Sequence, residues 1–91
     1  MATIWIADLW ISEATRDKIH TKHSLNVDEV AQALIAVRGL PFRWHHHDER
    51  GWRVLIEISI DKQRVRAVLY PRPRDVYGDA WDLASAYPLN E

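Results

Sequence analysis

An α+β fold is predicted, with two short helices packed on a mainly antiparallel sheet of four or five strands. Three observations carry that expectation. Tryptophan, valine and isoleucine recur at every second position through Trp52, Val54, Ile56, Ile58 and Ile60, and the period resumes at Val65, Ala67 and Leu69. Such alternation is the pattern of two half-buried strands. Upstream, Val27, Val30, Ala31, Leu34, Ile35 and Val37 fall on one side of a helix, behind Asn26 and Glu29 in capping-box spacing. A helix face and a sheet face that are each apolar must bury one another, which makes a layered domain. The alternating segment WDLASAY, residues 81–87, supplies a closing strand.

In chain order, residues 3–7 predict a short edge strand with Ile4 and Ile6 on one side and Trp5 on the other. Residues 8–11 lead to Ser12, a helix cap, and residues 13–22 make a first helix with Ala14 and Ile19 inward. The apolar stripe is sparse, so tertiary packing must stabilise that helix. Gly39 and Pro41 end the second helix. Phe42, Trp44 and His46 then alternate with Arg43, His45 and His47 in a further strand, and residues 48–51 turn the chain into the central hairpin. Two registers remain open there: Trp44 faces the core beside Val54 only if the loop runs from His47 to Gly51.

Within the hairpin, a two-residue Asp61-Lys62 turn pairs Ile60 with Gln63, Ser59 with Arg64, Ile58 with Val65, Glu57 with Arg66 and Ile56 with Ala67. One face is then apolar and the other carries Arg53, Glu57, Ser59, Arg64, Arg66 and Tyr70. Pro71 and Pro73 interrupt pairing, a connection around Gly78 occupies residues 74–79, and the closing strand is expected to place Trp81, Leu83, Ser85 and Tyr87 together.

Ninety-one residues make one domain, residues 1–91, without repeats or linkers. The absence of cysteine removes disulfides and thiolate metal sites and fits a cytoplasmic protein. No signal-peptide pattern or apolar run of membrane-spanning length is present, so the expectation is no membrane association. Twelve basic against thirteen acidic side chains give a net charge of −1, so any attraction to phosphate must come from a local positive face rather than the total. The five tryptophans are expected to be packing residues.

His45 and His47 share one side of a strand and His46 the other, so regular strand geometry does not bring all three to one ion, and no metal site is expected. The sequence lacks a glycine-rich phosphate loop and a nucleotide-cofactor fingerprint, and no cofactor is expected.

Three stretches resemble small bacterial ribonuclease toxins of the RelE/ParE-like superfamily, most of all its BrnT-like branch. They are IHTKHSLNVDEVAQAL over residues 19–34, the hairpin over residues 53–69, and WDLASAY over residues 81–87. The resemblance implies helices on a mainly antiparallel sheet, a metal-independent endoribonuclease acting on single-stranded or ribosome-associated RNA, and a cognate antitoxin as partner. Lys22 and His23 match the lysine-histidine turn of such toxins, and Ser85-Ala86 the late serine-alanine pair, while Tyr87 stands where an arginine is common.

RNA cleavage without a metal requires a base for the ribose 2′-hydroxyl, cations for the crowded phosphate and an acid for the leaving oxygen. His23 is the acid–base candidate and Lys22 the adjacent phosphate ligand. Arg53, Arg64, Arg66 and Tyr87 are the expected RNA-binding residues. The contrasting expectation is a noncatalytic protein-interaction module, with Arg64 and Arg66 paired to Glu57 and exposed arginines and tryptophans docking an acidic partner.

Overall fold

The computed structural model describes residues 2–73 and 78–89. The elements are β1 (Thr3–Ile4), β2 (Asp8–Trp10), α1 (Glu13–His23), α2 (Val27–Leu34), β3 (Leu40–Pro41), β4 (Arg43–His47), β5 (Gly51–Ile60), β6 (Gln63–Pro71) and β7 (Ala80–Pro88). Two helices pack on a mixed, mostly antiparallel five-stranded sheet of order β2-β7-β6-β5-β4, and β1 pairs with β3 in a separate two-stranded ladder. α1 lies on β7 and α2 on β5.

The central hairpin has the expected register, from Ile60 opposite Gln63 to Ile56 opposite Ala67, and continues to Val54 opposite Leu69. Asp61 and Lys62 both adopt positive φ, +50° and +67°. That is the type I′ geometry whose twist matches the flanking strands, reached here without glycine. Because a left-handed backbone costs an L-residue on the order of 1 kcal/mol, Lys62→Gly is expected to raise unfolding stability by about 0.5–1 kcal/mol in urea denaturation.

The first helix starts where expected: the Ser12 side chain accepts from the Thr15 backbone N–H at 3.1 Å. Of its apolar residues only Ile19 is buried; Ala14, expected inward, is exposed. A single inward residue gives little purchase, and the Lys18 Nζ donates to the Ala84 carbonyl at 2.9 Å, fastening the helix to β7. Asn26 caps α2 by accepting from the Asp28 N–H. Val27, Val30 and Leu34 are buried, but the helix stops at Leu34, short of the apolar stripe that runs to Val37. The cause is competition for the backbone: Ala36, at φ +57°, donates to the Ile6 carbonyl instead of continuing the helix.

Two departures and the choice between the two open registers matter for function. Residues 8–10, read as a connection, form β2 and pair in parallel with β7, Asp8 beside Ala80 and Trp10 beside Asp82. The loop into the central hairpin runs from His47 to Gly51, with Trp44 opposite Val54 and His45 opposite Arg53. In β7 the expected alternation fails partway: Leu69 faces Leu83 but Val68 faces Ser85, so one extra residue is inserted near Ala84. A bulge of this kind reverses which side the following residues face. Trp81 and Leu83 therefore lie with Ala86 in the core, while Ser85 and Tyr87 are turned to the opposite side of the sheet.

The core between helices and sheet is built from Ile6, Ile19, Val30, Leu34, Val54, Ile56, Val65, Ala67 and Leu69, all with essentially no exposure. A smaller apolar band of Leu55, Val68 and Tyr70, flanked by Ala84 and Tyr87, lies on the other face. The tryptophans depart most from expectation. Only Trp81 is buried, whereas Trp5, Trp10, Trp44 and Trp52 are 45–60% exposed. Trp44 on β4 and Trp52 near the start of β5 pack edge-on against each other at 6.5 Å.

Candidate functional site

The face of the sheet turned away from the helices is open, and the register sorts its polar residues into rows. One row begins with Glu57 on β5, continues to Arg66 on β6 and ends with Tyr87 on β7. Arg64, next along the same face of β6, returns to Glu57, so one carboxylate receives two arginines. Arg66 reaches the Glu57 Oε1 at 3.2 Å. α1 passes beside the β7 end of this row, and the His23 ring stands 6.0 Å from the Tyr87 ring at an interplanar angle of 46°. His23, Tyr87, Arg66, Glu57 and Arg64 thus form one continuous series over the edge of the sheet.

The electrostatics follow from that arrangement. Arg66 first, then Arg64, holds the Glu57 carboxyl below its ordinary value of 4.5. The Tyr87 hydroxyl first, and then Glu57, raises the Arg66 guanidinium above its already high ordinary value. Arg66 is therefore a permanent cation whose Nε is buried without a partner among the described residues. Because the folded-state pKa of Glu57 is depressed, its ionised form contributes stability above pH 4.5 that is lost as the pH falls through the lower folded value. Glu57→Gln is expected to make the stability less sensitive to pH on that acid side, as read by urea denaturation at steps between neutral and acidic pH.

The expected site residues are only partly brought together. His23, Tyr87, Arg66 and Arg64 converge. His23 and Lys22, matched to a turn, are instead the last two residues of α1, closed by Ser24 in the left-handed conformation. Lys22 is exposed in that final turn, His23 half-buried. Arg53, expected to join the other arginines across the sheet, does not. It lies four residues before Glu57 on β5, roughly 13 Å along the strand, and its Nε donates to the His45 Nδ1 at 3.1 Å.

The remaining histidines have structural partners. The His47 Nδ1 accepts from the Glu49 and Arg50 N–H groups, both at 3.2 Å, and so caps the turn between β4 and β5. His46 packs edge-on against Trp52 at 5.0 Å, on the side opposite His45 and His47. No group of three or more metal-binding side chains is gathered among the described residues.

Sequence reasoning missed two cation–aromatic pairs on the open face. The Arg50 guanidinium lies 4.2 Å over the Tyr70 ring, and the Arg72 guanidinium 4.2 Å over the Trp10 ring while pairing with Asp82 at 2.7 Å. The second pair depends on the parallel β2–β7 ladder, for which the three-residue strand offered no periodic signal. Of the expected connection over residues 74–79, residues 74–77 lie outside the described residues.

No family model, curated protein or solved structure matches this chain. No helix among the described residues is long and apolar enough to cross a membrane.

Proposed function

We propose that this chain is a toxin-like endoribonuclease, of the RelE/ParE-like kind and nearest to its BrnT-like branch, that cleaves single-stranded or ribosome-associated RNA. The observation carrying the reading is the approach of His23 to the Tyr87–Arg66 row. An imidazole beside a phenol and a permanent guanidinium supplies the groups that transphosphorylation needs. His23 takes the proton of a ribose 2′-hydroxyl, and the freed oxygen attacks the adjacent phosphorus. Arg66, with Arg64 beside it, balances the charge gathering on the phosphoryl oxygens. The 5′-oxygen leaves with a proton from the Tyr87 hydroxyl or from water, producing a 2′,3′-cyclic phosphate and a 5′-hydroxyl. Lys22 adds a cation at the rim.

The test is incubation of the purified, antitoxin-free protein with free and ribosome-bound mRNA, followed by mapping of the ends. Cleavage with cyclic-phosphate termini supports the reading; RNAs that stay intact in both settings overturn it.

A second reading has its own observation. Trp44 and Trp52 are 49% and 60% exposed beside β4, the outermost strand of the sheet, whose other face carries Arg43, His45 and His47. Exposed aromatics on and beside a strand that also carries the Arg43 guanidinium suit a noncatalytic module that docks an acidic partner, a cognate antitoxin among them. A stoichiometric complex formed by a protein without nuclease activity distinguishes this reading from the first.

A further inference from the structure

The Arg66 row borders a concavity that the catalytic reading leaves unused. It has a volume of about 320 Å³ and is lined by Pro41, Phe42, Arg43, Leu55, Glu57 and Arg66. Its floor is apolar: Leu55 belongs to the small band on the open face and Pro41 joins the lining, while the Phe42 ring packs against the main core and Trp44. Its two ends are cationic. Arg66 stands at one side, and Arg43, opposite Leu55 on β4, at the other. Arg43 is exposed and makes no ion pair among the described residues, in contrast to Arg66.

Strand geometry sets the scale of this site. Leu55 and Glu57 are two residues apart on β5, and Arg43 and Arg66 lie one strand to either side, so their Cα atoms are separated by roughly 12 Å on the diagonal. Two arginine side chains reaching inward across that span bracket a single nucleotide.

We propose that this concavity is a nucleotide subsite for single-stranded RNA. One base rests on Leu55 and Pro41, and the phosphate on its far side is held by Arg43. The phosphate on its near side lies at Arg66, where His23 and Tyr87 act. An apolar floor accepts any base without demanding a sequence, and the arginines set the strand's path. The assignment rests on the ribonuclease reading for its direction, but binding at Arg43 is measurable without cleavage.

The experiment uses a fluorescein-labelled 2′-O-methyl RNA octamer, which binds but lacks the attacking hydroxyl, in anisotropy titrations over a range of salt concentrations. Arg43→Ala and Arg43→Gln are expected to weaken binding about tenfold and to lower the salt dependence by about 0.7 in log–log slope, one phosphate contact on a single strand. Arg38→Ala, an exposed arginine elsewhere, is expected to bind like the unaltered protein. Affinity and slope unchanged in both Arg43 variants overturn the subsite, even if unmodified RNA is cleaved. Arg43-dependent binding without cleavage of unmodified RNA leaves the subsite standing and removes the ribonuclease reading. An oligoglutamate peptide that displaces the octamer at equal concentration overturns the subsite in favour of a protein ligand.

Discussion

Leu34→Ala is expected to lower the unfolding free energy by about 2–5 kcal/mol, measured by urea denaturation with unchanged m-value. Leu34 has no exposure and occupies the last turn of α2, where that helix rests on β5. Removing its branched end takes away the apolar transfer term and leaves a cavity that the surrounding core side chains, those of β5 fixed by strand pairing, fill only in part. The backbone closes off the other way of relaxing. α2 ends in the next residue, and Ala36 is already bonded to the Ile6 carbonyl, so the helix has little freedom to slide inward. For a domain of this size, whose total stability is on the order of 5–10 kcal/mol, the loss is a large fraction of the whole. A loss below about 1 kcal/mol would show that the layer between α2 and β5 repacks freely, contrary to this account.

His23→Ala is expected to reduce RNA cleavage by about 10²–10⁴-fold while leaving the fold intact, which is the range for removal of a positioned general acid–base group. The half-buried imidazole contributes little to the core, whose inward residue on α1 is Ile19. Far-UV circular dichroism and the urea midpoint should therefore stay close to those of the unaltered chain. On the proposed reading the loss should appear in kcat, with RNA affinity held within a few-fold, because that reading gives the phosphate contacts to Arg66 and Arg64. Equal cleavage by His23→Ala and the unaltered protein would remove His23 from the chemistry.

What was legible in the sequence divides along the distance over which each feature is decided. The Ser12 and Asn26 caps and the turn at Asp61-Lys62 are settled by residues a few positions apart, and all three form at those residues. The hairpin register was also readable, because two alternating strands joined by a short turn can meet in few ways that keep both apolar sets on one face. β2 was not readable: its three residues pair with a strand about 70 positions away, and nothing local marks a parallel partner. Nor was the inserted residue near Ala84, since no glycine or proline announces it. Its effect on the site is nonetheless decisive. A strictly alternating β7 would keep Tyr87 with Leu83 and Trp81 in the core; the bulge turns it toward Arg66. Four tryptophans stand exposed, against expectation, because hydrophobicity alone does not reveal which face or edge of the sheet a residue occupies.

The parallel ladder between β2 and β7 has a consequence in time. During synthesis the amino-terminal third of the chain emerges first, yet both β2 and α1 rest against a strand translated about 70 residues later. The His23 imidazole therefore meets Tyr87 only after nearly the whole chain has left the ribosome. Long-range pairing of this kind is slow to form. A nascent chain still on the ribosome therefore carries no assembled His23–Tyr87 pair.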